Sequence, residues 1–171
     1  RLSNALAAHF DEVVGVDISA PMLAEARRLD RSAGRITFVL NERPDLSMFE
    51  DDSFDLVYTD LVLQHLPPDL AEGYVREFAR VLSPGGVMVL GVPESERRTF
   101  KGMVFRYAPW PLVALAQRVL LRYPAPMRMH TLRTERIAAL VPNARIVASD
   151  EYWGGDHWLH LRHYVVVGDG R

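Results

Sequence analysis

Short apolar segments alternate along this chain with longer segments of helical periodicity, and this alternation limits the folds open to it more than any other feature. Between about residues 69 and 82, apolar side chains recur every three or four positions, as in a helix with one buried face. Strands separated by helices of this length favour crossover connections and a parallel sheet. The strand-like segments cover residues 13–17, 36–40, 54–59 and 87–92.

The end of the chain follows a different pattern. Two strand-like segments, residues 144–148 and 161–167, are joined by a connection that contains Gly154-Gly155-Asp156. This connection is too short for a crossover helix, so the simplest interpretation is an antiparallel hairpin that closes an otherwise parallel sheet. We therefore predict an α/β fold and a single domain over residues 1–171.

Composition excludes several classes of protein. Hydrophobic residues make up 49% of the 171 and charged residues 25%, which are ordinary values for a globular domain. The absence of cysteine excludes thiol catalysis, thiolate metal sites and disulfide bonds. No apolar run approaches the roughly 20 residues that span a bilayer, and we expect no signal peptide. We expect a cytoplasmic protein.

Asp17 ends the first strand-like segment and directly precedes a helix whose start is marked by Ser19 and Pro21. In open α/β sheets, ligands bind beyond the carboxyl ends of the strands. A carboxylate there can accept hydrogen bonds from both hydroxyls of a ribose. The alternative is that Asp17 only caps the helix, but Ser19 is better placed to do so, which favours the ligand-binding interpretation.

Three segments resemble the motifs of class I S-adenosylmethionine-dependent methyltransferases. Residues 14–23 (VGVDISAPML) resemble the second motif of that family, and residues 54–57 with 62–66 (FDLV, VLQHL) resemble its fourth strand and the following turn. Residues 82–86 (LSPGG) resemble the turn into its fifth strand. The motifs stand in the family's order, and the likeness is strongest to the small methyltransferases grouped as type 11.

The resemblance implies a Rossmann-like sheet, S-adenosylmethionine as cofactor, and a small-molecule or glycan- or lipid-linked acceptor, anionic ones included. Residues 1–95 would bind the cofactor, residues 97–130 would form a helical lid or insertion, and residues 131–171 would add a helix and the hairpin. The motif that marks methyltransferases acting on nucleic-acid amino groups is missing, because residues 59–62 read TDLV. We therefore expect no nucleic-acid partner.

The resemblance also implies roles for individual residues. Asp17 would hold the ribose hydroxyls, Asp45 and Leu46 would contact adenine, and residues 58–61 would face the methionine part and the methyl group. Family members often carry an acid–small pair where this chain has Asn41-Glu42-Arg43, a departure that bears on the adenine contact. The full set of expected cofactor contacts is Asp17, Ile18, Met22, Asp45, Leu46, Tyr58, Thr59 and Leu61.

One defining element of the family, its glycine-rich loop, is absent from the sequence. Nucleotide-binding sheets of this kind carry their acidic residue about 20 positions after that loop, so the count from Asp17 places the loop upstream of Arg1. We expect the chain to lack its natural N-terminus and the first strand of the family's sheet, which would leave a gap between the second and fourth strands. On its own, the chain would then bind cofactor weakly or not at all.

Methyl transfer from a sulfonium depends mainly on proximity and orientation, and a general base is needed only for a protonated nucleophile. His65, which follows the fourth strand of the family, is the first candidate for that base, although it could equally be a helix-entry residue. His130 and Asp60 are further candidates. His157, His160 and His163 do not suggest a metal site, because His160 would point away from the other two and no acidic cluster completes a ligand set. We expect no metal.

The segment from residue 97 to 136 carries nine Lys or Arg residues and one acidic residue, Glu135, so its net charge is +8 and the remainder of the chain sums to −10. Basic and aromatic residues together suit a lid over an anionic acceptor, or an interfacial helix near anionic lipid. The alternative is a packed helix with solvated arginines. The residues concerned are Arg97, Arg98, Phe100, Lys101, Phe105, Arg106, Tyr107 and Trp110.

Two other functions remain open at this point. A nicotinamide-dependent dehydrogenase shares the acidic residue after its second strand, although the LSPGG turn and the final hairpin fit it poorly. A non-catalytic fragment or partner subunit that has lost cofactor binding would explain the missing loop.

Overall fold

The computed structural model describes residues 1–99, 103–104, 107–120, 122, 128–152 and 158–168. The helices with described boundaries are α1 (Leu2–Leu6), α2 (Ala20–Arg28), α3 (Pro68–Val81), α4 (Trp110–Val119) and α5 (Thr134–Leu140). The strands are β1 (Val13–Asp17), β2 (Ile36–Leu40), β3 (Phe54–Asp60), β4 (Leu82–Glu96), β5 (Ala144–Tyr152) and β6 (Trp158–Val167). The chain divides into two compact units, residues 1–44 and 45–171.

The first unit contains one crossover connection, as its sequence pattern predicts. β1 and β2 pair in parallel, with Asp17 opposite Leu40, and α2 connects them. The hydroxyl of Ser19 accepts a hydrogen bond from the backbone N–H of Met22 at 3.4 Å, so Ser19 caps α2. Gly15 lets the ring of Phe38 lie against β1, since a Cβ at that position would come within 3.0 Å of the ring.

The second unit contains a four-stranded sheet in the order β3-β4-β6-β5. β3 and β4 run parallel, whereas β6 is antiparallel to both β4 and β5. The predicted antiparallel ending is therefore confirmed. The last strand lies between its two partners rather than at the edge, an order that the linear pattern does not reveal.

The strands of the two units belong to separate hydrogen-bonded sheets, β1-β2 and β3-β4-β6-β5. In the described part of the chain, β1 pairs only with β2. β1 and β3 match the second and fourth strands of the resemblance.

The hydrophobic core of the second unit lies between α3, α5 and one face of the sheet. Along α3, the buried positions are Ala71, Val75, Phe78 and Val81, at helical spacing. On β4, the buried side chains of this core alternate, as expected for one face of a strand. Its sheet residues include Met88, Leu90, Val92 and Val165, and α5 adds Ile137 and Leu140.

The predicted turn at residues 83–86 is a disruption within β4 and not a boundary. The register shifts from Phe54 opposite Leu82 to Leu56 opposite Val87, so the extra residues bulge out of the ladder. Gly85 adopts a φ of 81°, which glycine reaches without strain.

Several residues named in the sequence predictions fall outside the described residues. These are Phe100, Lys101, Phe105, Arg106, Gly154, Gly155, Asp156 and His157. Residues 97–130, expected to be helical, contain α4, and the helix expected within residues 131–171 is present as α5. No helix in the described part of the chain is long and apolar enough to cross a membrane.

Candidate functional site

Asp17 stands at the carboxyl end of β1 with its carboxylate held in place. Its Oδ1 accepts a hydrogen bond from the backbone N–H of Ser19 at 2.8 Å, and its carbonyl accepts one from Asn41 at 3.0 Å. Among the described residues, no donor reaches Oδ2. A carboxylate has about four lone-pair positions, so the group retains acceptor capacity for two hydroxyls. The geometry fits a ribose-binding acid.

Two apolar side chains close to Asp17 in the sequence are strongly exposed. Ile18 is 72% exposed and Met22 is 60% exposed. Ligand sites commonly combine apolar surface with a few fixed polar groups. Asp17, Ile18 and Met22 together therefore provide the type of surface that a nucleoside would cover. The chemistry present fits the adenosine part of S-adenosylmethionine.

Asn41 occupies the place where the resemblance would lead one to expect an acidic residue. Its side chain is buried, and its Oδ1 accepts a hydrogen bond from the backbone N–H of Arg43 at 3.0 Å. Asn41 therefore stabilises the turn that follows β2.

Leu46 lies in the hydrophobic core of the second unit and is 6% exposed. Its backbone N–H donates to Glu77 at 2.9 Å and its carbonyl accepts from Arg80 at 3.1 Å. Asp45 accepts the N–H and hydroxyl of Ser47 and borders a cleft of about 560 Å³ beside α3. Of the two expected adenine contacts, Asp45 is thus better placed to reach a ligand than Leu46.

Asp60, at the carboxyl end of β3, is the centre of a polar network. Its carboxylate accepts hydrogen bonds from the hydroxyl of Tyr152 and from Arg162, the latter at 2.9 Å. The Tyr58 hydroxyl lies 3.4 Å from Oδ2 of Asp60, and the guanidinium of Arg162 lies over the ring of Tyr152. Tyr152 and Arg162 are functional candidates that sequence reasoning missed, since both lie far from Asp60 in the chain.

Gly91 makes room for this network. It pairs with Asp60 on one side and with Arg162 on the other. A Cβ at this position would clash with Oδ1 of Asp60 and would come within 2.6 Å of the Tyr152 hydroxyl. The network therefore depends on glycine at residue 91.

Burial and charge determine which groups in the network carry protons. Burial raises the pKa of the Tyr152 phenol, and its hydrogen bond to Asp60 raises it further. Burial also raises the pKa of Tyr58, partly offset by the charge of Arg162. Burial alone would lower the pKa of Arg162, but its hydrogen bonds to Asp60 and Tyr164 and the electrostatic effect of Tyr58 and Asp60 together outweigh burial, so the net shift is upward. Tyr152 and Arg162 therefore remain donors across the physiological range. These contacts favour a positioning role for Asp60 over the predicted role as a base.

Leu61, directly after β3, has a strained backbone. Its φ is 60°, a left-handed conformation that costs an L-residue roughly 1–2 kcal/mol. Such strain persists where the surrounding structure enforces it, and it clusters at functional sites. Its backbone N–H donates to Gly91 at 3.3 Å, and its side chain is exposed. Thr59, another expected cofactor contact, lies on β3, where it pairs with Leu90 of β4.

His65 and His130 lie on neighbouring segments. His65 ends a 3₁₀ turn, Leu63–His65, and its Nε2 is 3.3 Å from Nε2 of Gln64. The backbone N–H of His130 donates to the carbonyl of Gln64 at 2.8 Å. The structure thus brings two of the three predicted bases to adjacent positions, whereas Asp60 belongs to the separate polar network.

His130 borders a cavity of about 260 Å³ between α3 and α5, whose polar lining includes Glu72, Arg133 and Arg136. Burial lowers the pKa of His130, and the positive charge of Arg128 lowers it further. A neutral imidazole can accept a proton, so the environment of His130 suits a base.

Two further histidines, His160 and His163, are packed into the sheet. His160 is buried with its ring 5.7 Å from that of Tyr152, and His163 is buried with its Nδ1 2.8 Å from the hydroxyl of Ser149. In the described part of the chain, no group of three or more His, Asp or Glu side chains is placed to hold a metal ion.

Comparison with known proteins identifies the class of this arrangement. Residues 1–90 match a family described as a methyltransferase domain. The chain is 39% identical over 88 residues to the demethylmenaquinone methyltransferase of Staphylococcus saprophyticus, covering 52% of this chain and 36% of that protein. It is 30% identical over 165 residues to the demethylmenaquinone methyltransferase of Clavibacter sepedonicus, covering 96% and 61%. The chain therefore spans less than two thirds of the length of these curated relatives.

Solved structures agree on the fold. The structure of a SAM-dependent methyltransferase from Methanosarcina mazei superimposes with a TM-score of 0.68, covering 96% of this chain and 85% of that one at 18% identity. At this identity the likeness shows the fold alone, which is the Rossmann-like α/β fold expected from the sequence. The methyltransferase match also argues against the dehydrogenase alternative.

Proposed function

This chain belongs to the methyltransferase domain family, and on that premise we propose that its protein binds S-adenosylmethionine and transfers a methyl group to a small-molecule acceptor. The observation that carries the proposal is the carboxylate of Asp17, fixed at the carboxyl end of β1 with acceptor capacity to spare. The exposed side chains of Ile18 and Met22 support it, since they offer apolar surface beside that carboxylate.

When bound, the cofactor would supply an electrophilic methyl group on a sulfonium. The task of the protein is then to bind, orient and exclude water. Asp17 would orient the ribose through its carboxylate, and Tyr58, Thr59 and Leu61 would contact the methionine part. The enforced left-handed backbone of Leu61 supports a functional role for this turn.

A base is required only if the acceptor atom carries a proton. We propose His65 or His130 for that role, supported by their adjacent positions and by the lowered pKa of His130. Asp60 would act as a positioning residue instead, because Tyr152 and Arg162 both donate to its carboxylate.

The acceptor is proposed to be a small molecule, including glycan-linked, lipid-linked or anionic ones. Two curated relatives are named for the methylation of demethylmenaquinone, which supports a small-molecule acceptor class. In the proposed lid, Arg97 is bound to Glu151 and to the carbonyl of Trp158, whereas Arg98 is exposed and forms no ion pair with a described residue. Arg98 is therefore the stronger candidate for contact with an anionic acceptor.

The direct test is calorimetric titration with S-adenosylhomocysteine. Replacing Asp17 with Ala should weaken binding about tenfold or more, since hydrogen bonds to a charged group contribute roughly 1.5–3 kcal/mol. Asp17→Asn keeps an acceptor for the N–H of Ser19 and should weaken binding as well, which separates loss of charge from local unfolding. Asp11→Ala is the matched control, because Asp11 is exposed near the opposite end of β1.

Two outcomes would contradict the proposal. Unchanged affinity in both Asp17 variants would remove Asp17 from the site. Absence of binding by the protein carrying this chain would favour the alternative of a non-catalytic partner subunit.

A further inference from the structure

Helix α4 exposes an apolar face that the described residues do not cover. Leu112 is 61% exposed, Leu115 59% and Val119 64%, and their spacing places them along one side of the helix. The opposite side carries the two buried residues of α4, Val113 and Gln117. Contiguous exposed apolar surface commonly marks a site of interaction, so this face calls for a partner.

Two arginines lie on α4 or directly after it. Arg118 lies on α4 and Arg122 follows it, both exposed, and neither forms an ion pair with a described residue. They belong to the segment from residue 97 to 136 whose net charge is +8. The partner of this surface must therefore offer apolar surface to the aliphatic side chains and negative charge to the arginines.

We propose that α4 docks on the surface of an anionic lipid bilayer. The face formed by Leu112, Leu115 and Val119 would lie at the boundary between headgroups and acyl chains, and Arg118 and Arg122 would contact lipid phosphates. Helices that lie in the interface plane combine an apolar face with flanking basic residues in this manner. The docking surface shares no residue with the proposed cofactor contacts.

Charge argues against a second copy of this chain as the partner. A twofold symmetric contact through α4 would bring the same basic surface against itself. Like charges brought together in this way repel one another. An anionic bilayer meets both requirements, since its phosphates pair with the arginines and its acyl region takes the aliphatic side chains.

The test is co-sedimentation of the protein with vesicles of phosphatidylcholine alone or of phosphatidylcholine mixed with phosphatidylglycerol. We expect binding to the anionic vesicles only, with weaker binding at high salt because screening reduces the attraction of the arginines. The double variant Leu115→Asp/Val119→Asp should reduce binding by at least about tenfold, because it removes apolar burial and adds charge. Arg118→Glu with Arg122→Glu should abolish the preference for anionic vesicles.

A matched control is Val147→Asp, which changes an exposed aliphatic side chain on β5 and should leave vesicle binding unchanged. Circular dichroism and the melting temperature of each variant distinguish lost docking from lost folding. Absence of binding to anionic vesicles, or binding that the α4 variants leave intact, would overturn the proposal. So would a dimer in sedimentation velocity that Leu115→Asp dissociates, since α4 would then be an interface between copies.

Discussion

At the scale of single residues, the carboxylate of Asp60 connects three strands of its sheet, β3, β5 and β6. Asp60 stands on β3 beside Gly91 of β4, and it accepts hydrogen bonds from Arg162 of β6 and Tyr152 of β5. Removing one partner of a buried ion pair is costly, because the other charge is left without compensation. This pair is partly exposed, so its loss costs less than the full buried penalty.

Replacing Gly91 with Ala should lower the free energy of unfolding by about 1–3 kcal/mol, because the added methyl group displaces Asp60 or Tyr152. The measurement is the midpoint of urea denaturation. Gly73→Ala is the matched control, since a Cβ at this helical position meets nothing within 4 Å, and it should stabilise by roughly 0.5–1 kcal/mol. If both variants destabilised the protein equally, a clash of the added methyl group at residue 91 would not be the cause of the destabilisation.

His163 should make stability depend on pH. Burial lowers the pKa of His163, an effect that the charge of Glu94 partly opposes. The unfolded chain, whose histidines titrate near about 6.5, then binds a proton more readily than the folded chain. The stability that neutral His163 contributes is therefore fully present above about pH 6.5. It is lost as the pH falls through the folded pKa of His163.

The variant His163→Gln, which can still reach the hydroxyl of Ser149, should flatten the decline in unfolding free energy as the pH falls below about 6.5. The decline should not vanish, since burial also lowers the pKa of His130. The exposed His9 provides the control, and His9→Gln should retain the wild-type profile. If the unfolding free energy of His163→Gln declined with pH as steeply as that of the wild type, His163 would not be the cause of the decline.

At the scale of elements, Arg80 fastens α3 to the loop that follows β2. Its guanidinium donates to Glu77 at 2.8 Å, to Asp51 at 2.6 Å, and to the carbonyls of Leu46 and Phe49 at 3.1 Å. Its hydrogen bonds to Glu77 and Asp51 raise the pKa of Arg80, and its hydrogen bond holds the pKa of Glu77 below the ordinary value. One planar side chain therefore joins two elements.

Replacing Arg80 with Lys should destabilise the protein by about 1–3 kcal/mol, because a lysine cannot reproduce several donors in fixed directions. The control is Arg76→Lys on the same helix, where Arg76 is exposed and lies 3.6 Å from the carboxylate of Glu72. That change should stay within about 0.5 kcal/mol. Chemical denaturation of both variants measures the difference, and equal values would mean that the fork geometry of Arg80 contributes nothing.

At the scale of the whole molecule, buried apolar side chains are distributed unevenly between the two units. Residues 1–44 bury only Ala7, Leu23 and Ile36 among their described hydrophobic side chains. Residues 45–171 contain a continuous core built on α3, β4 and β6. Segments with few buried apolar contacts open locally at lower free energy.

Amide hydrogens of β1 and β2 should therefore exchange faster than those of β4 and β6. Hydrogen exchange followed by mass spectrometry measures this, with peptides covering residues 13–17 and 87–92. Saturating S-adenosylhomocysteine should slow exchange in β1, since a ligand that binds only the folded form stabilises it. Equal protection of the two segments without ligand would contradict the expectation.

Local sequence signals were sufficient for elements whose structure depends on neighbouring residues. The pattern of β1, the Ser19 cap, and the helical periodicity of α3 are each contained within about 15 residues, and each predicted element is present. The position of Asp17 at a strand end follows from the same local pattern, so the acidic residue of the proposed cofactor site could be found before the fold was known. The family resemblance supplied the identity of the cofactor.

Tertiary structure alone decided which distant residues meet. Asp60 is separated from Tyr152 by 92 positions and from Arg162 by 102, and no local pattern encodes those contacts. They arise because β6 lies between β4 and β5, and because the register sets Gly91 beside Asp60 and Arg162. The spacing of apolar residues determines whether a segment forms a helix or a strand and which face it buries. The order and register of strands depend on how those faces pack together, which is a property of the whole sheet and not of any one segment.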